Sequence, residues 1–204
     1  MSSLQHFFAT PIYQAPLITR GGPAFNAELL DDCEKIRQYD VPGQAWSERF
    51  YPGGYTSYGS MDQLHRFSST FDQLRRRIDR HVTRFADALE WSLSRGELGM
   101  TDCWINLMPR GCAHSFHLHP NAVISGTYYV QVPRGASPLK FEDPRLSRMM
   151  AAPPRRADAR QQSHVSLKPR AGQVILFESW LRHEVSTSRI DALRISVSFN
   201  YHLR

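Results

Sequence analysis

Residues 114–130 read HSFHLHPNAVISGTYYV and place two histidines, His117 and His119, one residue apart at the start of a β-rich run. Side chains two positions apart on a strand project from the same face, so both imidazoles can face one ion while Leu118 packs the other way. A third histidine, His183, follows near the C-terminus. Imidazole nitrogens are common metal ligands, and the three histidines together predict a metal site.

The region around this stretch has the pattern of a β-barrel. Short β-rich runs separated by turn residues continue from Thr101 to the end of the chain. Strands are predicted around Trp104, His117, Tyr128, Leu139, Val165, Ile175, His183 and Ile195. Eight such strands after a helical half are typical of a mainly β fold with α, the double-stranded β-helix, a jelly-roll or cupin-like barrel braced by N-terminal helices.

Two helices are predicted in the N-terminal half. The first covers residues 26–38 and ends before Pro42. The second begins at Ser68 or Ser69, either of which can cap it. Its apolar residues repeat at intervals of three and four, which predicts a helix lying across the outside of a sheet. They are Phe71, Leu74, Ile78, Val82, Phe85 and Leu89.

Two segments have no sustained period. Residues 46–61 are rich in Gly, Tyr and Ser and are predicted to be a loop or irregular strands, with tyrosines that edge a pocket. Residues 146–163 are rich in Pro and Arg and are either a flexible insertion or a lid over the barrel mouth. We expect one domain over 1–204, with 1–100 as a helical and loop support region and 101–204 as the barrel core.

The composition is that of an ordinary globular protein, with 204 residues of which 41% are hydrophobic and 22% charged. This length suits a single domain with a sizeable core. No apolar run is long enough to span a bilayer and no export signal is evident, so we expect a cytoplasmic protein without membrane association. The cysteines Cys33, Cys103 and Cys112 match no zinc motif, and we expect reduced, structural thiols.

The formal net charge is +6, from 25 Lys and Arg against 19 Asp and Glu. The basic excess is divided between the second helix and a later loop, as on solvated surfaces. Nucleic-acid association is a minority hypothesis, because there is no recognised binding motif and no aromatic residue interleaved with the basic ones to stack bases. The oligomeric state is not indicated by any motif such as coiled-coil heptads.

The C-terminal strand LRISVSFNYH, residues 193–202, alternates between apolar and polar side chains. Its two faces are Ile195, Val197 and Phe199 on one side and Arg194, Ser196, Ser198 and Asn200 on the other. An arginine inside the barrel is costly unless an anion pairs with it. The guanidinium of Arg194 suits a carboxylate, to which Ser196 can donate a second hydrogen bond. The alternative is an Arg194 that reaches solvent or pairs with an acidic side chain.

Five blocks carry a resemblance that covers most of the chain: YPGGYTSYGSM (51–61), HLHPNAVISGTYYVQVP (117–133), LKFEDPR (139–145), QVILFESWLRHEV (173–185) and RISVSFN (194–200). Together they resemble the bacterial and phage family of 2-oxoglutarate- and Fe(II)-dependent oxygenases. The resemblance implies a double-stranded β-helix that uses Fe(II), O2 and 2-oxoglutarate as co-substrate. It also implies that His117 and His183 are iron ligands and that Arg194 with Ser196 binds the distal carboxylate of 2-oxoglutarate.

The chain departs from the superfamily pattern at the third ligand, where His119 replaces the usual Asp or Glu. We expect His119 to coordinate, because its parity and spacing place it where that carboxylate lies. The alternatives are a carboxylate from Asp143 or a water. Asp143 precedes Pro144, a common turn element, and can instead pair with Arg145. A neutral third ligand leaves the iron more positive, which affects oxygen activation and dependence on 2-oxoglutarate.

Further residues are assigned around the co-substrate and the substrate. Asn106 and Tyr129 are assigned to the co-substrate site, and Tyr128 faces the other way from Tyr129, although the sequence does not tell which ring is inward. His114 is left outside the site, because its parity is opposite to that of His117 on a continuous strand. The residues assigned to the substrate pocket are Trp104, Asn121, Tyr55 and Trp180.

Three functions are compatible with these features. The leading one is an oxygenase that couples decarboxylation of 2-oxoglutarate to C–H oxidation, a hydroxylase of an unidentified small molecule or macromolecular side chain. The second keeps a three-histidine iron but drops 2-oxoglutarate, with Arg194 clamping a substrate carboxylate. The third is a non-catalytic barrel that binds a metal or small anion, or an adaptor working through its basic surfaces. The sequence does not identify the prime substrate.

Overall fold

The computed structural model describes residues 3–18, 21–94 and 96–204. Its strands are β1 (Ile12–Pro16), β2 (Tyr55–Thr56), β3 (Leu98–Met108), β4 (His114–His117), β5 (Ile124–Gln131), β6 (Leu139–Glu142), β7 (His164–Leu167), β8 (Gln173–Glu178), β9 (His183–Val185) and β10 (Arg194–Leu203). Its helices are α1 (Gly22–Tyr39), α2 (Val41–Phe50), α3 (Leu64–Phe67) and α4 (Ser69–Ala88). Each of the eight predicted strand positions falls within one of the strands β3 to β10.

The strands form two antiparallel sheets. The six-stranded sheet has the order β1-β8-β5-β10-β3-β2, and the four-stranded sheet has the order β4-β9-β6-β7. Apolar side chains of both sheets, among them Tyr129, Phe141 and Phe177, form a buried cluster. This is the jelly-roll barrel that the alternating strands predict, and the fold class is confirmed.

Helices α1 and α4 cover the outer face of the six-stranded sheet. The Ser68 hydroxyl caps α4 by accepting a hydrogen bond from the backbone N–H of Phe71 at 3.4 Å. The apolar stripe of α4 is buried from Phe71 to Phe85 and shares a cluster with the outward residues of β10. Burying both stripes in one cluster removes them from water, which is the main force holding helix to sheet. None of the described helices has the length and apolarity to cross a lipid bilayer.

The prediction of an irregular segment over 46–61 was partly wrong, because α2 occupies Val41–Phe50. Pro42 lies in the first turn of this helix, where its missing N–H costs no hydrogen bond. Asp40 provides the cap by accepting a hydrogen bond from the N–H of Gly43 at 3.0 Å. The proline therefore begins a second helix and does not mark a loop.

The insertion at 146–163 lies away from the histidines. It begins with a 3-10 helix at Leu146–Arg148 and continues as turns and bends. Its residues 160–162 line a groove with residues 6–10 of the N-terminal segment and with Asp143 to Arg145. The insertion is thus part of a separate surface in this conformation, and none of its described residues lines the histidine cavity.

Candidate metal centre and the cavity beside it

Strands β4 and β9 bring two of the predicted histidines face to face. His117 and His183 are directly opposed in the antiparallel pairing, with ring centroids 4.2 Å apart. Opposed residues of a strand pair share a face, so both imidazoles point into the barrel. His183 is buried and His117 is half-buried, which places them at the inner end of an opening.

His119 joins the pair from beyond the end of β4. Its backbone N–H donates to the carbonyl of Ser179 at 3.0 Å, which fixes the chain after the strand. Its Nε2 lies 3.3 Å from Nε2 of His183, and one nitrogen from each of the three histidines lies within 4.8 Å of the others. Two nitrogens bound at right angles to one metal are about 3 Å apart. The spacing fits three neighbouring positions around a metal ion.

The surroundings of the three imidazoles keep the rings uncharged and orient their nitrogen lone pairs. Nδ1 of His117 contacts the carbonyl of Ser115 at 2.7 Å, and Nδ1 of His183 contacts that of Leu181 at 2.8 Å, so both Nε2 lone pairs face inward. Burial lowers the pKa of His117, that of His119 to about 4 and that of His183 to about 2. Uncharged nitrogens with directed lone pairs can bind a metal without first losing a proton.

His114 lies next to this group and lines the same cavity, although it is not one of the three histidines whose nitrogens converge. Its ring stacks on that of His117 with centroids 4.0 Å apart and an interplanar angle of 13°. The pairing of β4 with β9 shifts register between His114 and His117, which brings both residues to one face. Burial and the neighbouring histidines lower the pKa of His114 to about 3. The alternation rule holds only along an unbroken strand, and the sequence alone carries no signal of this bulge.

A polar network behind His119 also escaped the sequence analysis. Asn200 lies at the end of the polar face of β10, and its side chain raises the pKa of His119, which partly offsets the lowering by burial. The Asn200 amide nitrogen donates to Asp102 at 3.3 Å, and its oxygen accepts from the Ser125 hydroxyl at 2.8 Å. Outer contacts of this kind fix the orientation of a metal-binding imidazole.

The same cavity is also lined by Arg194. Its side chain is only 3% exposed, Nη1 contacts the sulfur of Met108 at 3.1 Å, and Nε has no hydrogen-bond partner. Within the described residues no carboxylate lies within ion-pair distance of this guanidinium. Arg194 therefore neither reaches solvent nor pairs with an acidic side chain, and a buried cation of this kind suits an anionic ligand.

The predicted polar partners of Arg194 surround it through the strand register. Ser196 lies opposite Asn106 of β3 and opposite Tyr129 of β5. Asn106 donates to Ser198 at 3.0 Å, but its Oδ1 and the Tyr129 hydroxyl have no partner, and Arg194 lies 5.1 Å from the Tyr129 ring. Tyr129 is the inward ring of its pair, since the Tyr128 hydroxyl bonds Asn26 of α1. Buried polar atoms without partners mark places that a ligand can satisfy.

The cavity between the histidines and Arg194 is narrow. It has a volume of about 40 Å³, and its lining includes the three histidines His117, His119 and His183 together with Arg194 and Ser196. That is room for about three waters. A bound diacid must displace side chains that fill it, and the contact of Arg194 with the Met108 sulfur is one that a carboxylate can replace.

Of the four residues assigned to the substrate pocket, one lines the cavity and three lie outside it. Trp104 is buried and lines the cavity, with its ring stacked near His119 at 5.9 Å. Tyr55 was placed wrongly, because it turns away and donates to Asp40 at 2.7 Å. Trp180, 47% exposed, and Asn121, in a turn with φ of 69°, line neither the cavity nor the cleft described below.

Asp143, the alternative third ligand, does not join the histidines. Its carboxylate accepts two hydrogen bonds from the Arg145 side chain, at 3.0 and 2.8 Å. These bonds lower the pKa of Asp143 and hold it in the turn before β7. The sequence did not indicate that Tyr51 and Tyr58 are the tyrosines that line the site from the 51–61 segment.

The comparison with protein families bears on the barrel half of the chain. Residues 102–200 match the family model described as "Putative 2OG-Fe(II) oxygenase". The matched range includes all three histidines and Arg194. No curated protein matches the chain in sequence.

Solved structures share the fold at low sequence identity. A Pseudomonas putida prolyl-4-hydroxylase is 17% identical with a TM-score of 0.62, over 96% of this chain and 94% of that one. The α-ketoglutarate-dependent epimerase SnoN from nogalamycin biosynthesis is 15% identical with a TM-score of 0.66, over 95% and 76%. HygX from Streptomyces hygroscopicus, with nickel and 2-oxoglutarate bound, is 13% identical with a TM-score of 0.60, over 95% and 83%.

Proposed function

We propose that the chain is a hydroxylase of the 2OG-Fe(II) oxygenase family, whose model matches residues 102–200, and that its iron is held by His117, His119 and His183. The enzyme uses Fe(II), O2 and 2-oxoglutarate. The observation that carries the proposal is the buried Arg194, which has no carboxylate partner among the described residues and lines the same cavity as the three imidazoles. A dicarboxylate in this cavity can bind the metal through one group and the Arg194 guanidinium through the other.

The chain's own residues have separable roles in this reaction. When bound, Fe(II) and 2-oxoglutarate supply oxidation of a C–H bond coupled to decarboxylation to succinate. His117 and His183 present Nε2 because backbone carbonyls hold their Nδ1 atoms. Arg194 binds the far carboxylate of the diacid, and Ser196 donates to it. The aromatic walls of the cavity exclude water from the reacting atoms.

His119 is our proposed third ligand, in preference to Asp143. Its Nε2 lies 3.3 Å from that of His183, whereas the Asp143 carboxylate is engaged by Arg145. Three imidazoles and no carboxylate leave the bound iron with one more positive charge than the usual set. A site of this charge attracts a dianionic co-substrate more strongly, because no ligand carboxylate repels it.

The decisive experiment is an anaerobic titration of metal-free protein with Fe(II) and then 2-oxoglutarate. We expect the weak visible charge-transfer band of the chelated keto acid, and we expect Arg194→Met to weaken co-substrate binding by about 100-fold, or about 2.7 kcal/mol. The matched control is Arg110→Met, an exposed arginine paired with Asp191, which should leave the band unchanged.

The alternatives predict different outcomes of the same titration. Iron binding without the band supports a 2-oxoglutarate-independent three-histidine dioxygenase, in which Arg194 clamps a substrate carboxylate. A lack of iron binding in the folded protein supports a non-catalytic barrel. Release of one succinate per oxidised substrate distinguishes the proposed hydroxylase from both.

We also propose that the protein works in the cytoplasm and that residues 1–204 act as one domain. All three cysteines, Cys33, Cys103 and Cys112, are buried and unpaired, as in a reducing compartment. Strands β1 and β2 of the N-terminal half extend the sheet that holds Arg194. These contacts support the role of residues 1–100 in bracing the core.

A further inference from the structure

A second, wider cleft opens beside the histidines, and Arg194 does not line it. Its volume is about 490 Å³, and His117, His119, Trp104 and Asn106 line both this cleft and the inner cavity. Sites of this size enclose ligands the size of drug molecules. The cleft is thus the approach by which a substrate can reach the metal centre.

One wall of the cleft is a continuous series of aromatic contacts that runs from the centre to the surface. Trp104 lies 5.9 Å from His119 and 5.1 Å from Tyr58, as measured between ring centroids. Tyr58 then contacts Trp46 at 6.2 Å, and Trp46 contacts Phe50 at 5.1 Å. These separations are those of edge-to-face and stacked aromatic pairs.

The outer rings of this series are about half exposed to solvent, so much of their surface is not used in packing the core. Tyr58 is 52% exposed and Phe50 is 55% exposed, and across the cleft Leu118 is 44% exposed. Several apolar side chains that face one cleft in this way mark a binding surface more often than scattered ones do. The exposed faces are free to stack on a ligand.

The lining of the cleft carries no formal charge of its own. Its polar groups are hydroxyls and amides, such as Thr56, Ser115 and Asn106, and its ionisable side chains are histidines and tyrosines, with no Asp, Glu, Lys or Arg among them. Charged groups lie next to this lining: Arg49 lies over the Phe50 ring, and Lys140 and Arg182 lie over the Phe116 ring. Both cations at Phe116 are already paired, with Glu184 and Glu142, and the Asp102 carboxylate accepts a hydrogen bond from Asn200. A charged group entering this cleft would lose hydration without gaining a partner.

Resting on the proposed function, we propose that the prime substrate is an uncharged small molecule with a flat aromatic ring. The ring stacks along Trp46, Tyr58 and Trp104, and the neighbouring C–H bond is presented to the metal centre at His119. Hydroxyls and amides of the cleft bind neutral substituents of the ring. The net charge of +6 plays no part in this recognition, because the basic residues lie outside the cleft.

The test uses three probes that share one ring system: 2-naphthol, 2-naphthalenesulfonate and 2-(aminomethyl)naphthalene. Binding to the full-length chain is measured by calorimetry, with Fe(II) and 2-oxoglutarate present under anaerobic conditions. We expect 2-naphthol to bind at least tenfold more tightly than either charged probe. Tighter binding of a charged probe, or of the non-aromatic methyl β-glucopyranoside, overturns the proposal.

Two matched tryptophan variants locate the binding. Trp46→Ala should weaken 2-naphthol binding by about tenfold, the effect of losing one stacking partner. Trp180→Ala removes an exposed tryptophan outside the cleft and should change binding by less than twofold. Trp46→Phe retains a ring, so it should restore most of the affinity even if Trp46→Ala folds poorly. Equal affinities of Trp46→Ala and the parent chain overturn the proposal.

The charge-transfer band separates this inference from the function on which it rests. A band without preference for the neutral probe overturns the substrate class alone. A preference for 2-naphthol without a band supports the aromatic cleft and overturns dependence on 2-oxoglutarate.

Discussion

The two faces of the six-stranded sheet are built on opposite principles. On β10 the outward residues Ile195, Val197 and Phe199 are fully buried against the apolar cluster that includes α4. The inward residues of the same strand start with Arg194, whose Nε has no hydrogen-bond partner. Neighbouring positions of one strand thus contribute to stability on one side and to ligand binding on the other.

The difference teaches that the inner face holds a group of unsatisfied polar atoms. Arg194, Asn106 and Tyr129 each have a buried polar atom without a partner, and all three lie on or beside the inner face. Such atoms lower stability by about 1–3 kcal/mol each unless a ligand or water pairs with them. The packed outer face offsets this cost, so the inner face can remain ready for a ligand.

The largest expected effect is on the outer face. Phe199→Ala removes a fully buried ring and should lower the free energy of unfolding by about 3–5 kcal/mol. Its inward neighbour provides the comparison, because Ser198→Ala loses only a hydrogen bond with Asn106, worth about 1 kcal/mol. Urea unfolding of both variants measures the contrast, and equal losses would remove the distinction between the faces.

The second effect concerns Asn200, an inner-face residue that acts on metal binding through the proposed iron ligand His119. Asn200→Ala should weaken Fe(II) binding by about 10- to 100-fold, because the polar network behind His119 loses the amide that joins Asp102 to Ser125. His202→Ala is the control. His202 lies two positions further along β10, and its Nε2 is also close to the Asp102 carboxylate, at 3.8 Å. Competition with a chelator gives both affinities. An Asn200→Ala affinity within twofold of the parent would limit Asn200 to a structural role.

The third effect comes from a substitution that should raise the free energy of unfolding, whereas Phe199→Ala on the outer face lowers it. Arg194→Met replaces a buried, unpaired guanidinium with an apolar side chain and should raise the free energy of unfolding of the ligand-free chain by about 1 kcal/mol. Thermal unfolding without 2-oxoglutarate tests this gain. A loss of stability instead would show that Arg194 has a partner in the fold and is not reserved for an anion.

The last effect is a pH dependence on the outer side of the molecule. His81 of α4 is buried, its Nδ1 bonds the Tyr13 hydroxyl at 2.8 Å, and burial, together with Arg84, lowers its pKa. The unfolded chain takes up this proton near pH 6.5, so unfolding becomes easier as the pH falls below that value. One such group contributes at most about 1.4 kcal/mol per pH unit.

The variant His81→Gln isolates this contribution. Its melting temperature should fall less steeply between pH 6.5 and pH 5 than that of the parent chain. The buried histidines of the inner cluster are unchanged in the variant, so they contribute a common background to both slopes. Identical slopes would show that His81 takes up its proton as readily in the folded protein as in the unfolded chain.

Local patterns in the sequence were sufficient for much of the fold. All eight strand positions and the stripe of α4 were predicted, because hydrophobic periodicity is set by which face of an element is buried. Alternation along residues 193–202 correctly placed Arg194 inward and Phe199 outward. The end of the first helix before Pro42 was predicted correctly, but the second helix that begins there with a cap from Asp40 was missed.

The residues of the site also divide into those that the sequence predicted and those that only the fold brought together. The sequence by itself determined that His117, His119, His183 and Arg194 converge, since residue type and strand parity are local properties. Only the tertiary structure decided that His114 lines the same cavity, because the bulge that turns its ring inward exists in the pairing of β4 with β9. The aromatic cleft also depends on distant segments, which meet only when the barrel closes. Long-range pairing sets these positions, and no periodicity in one strand encodes its partner.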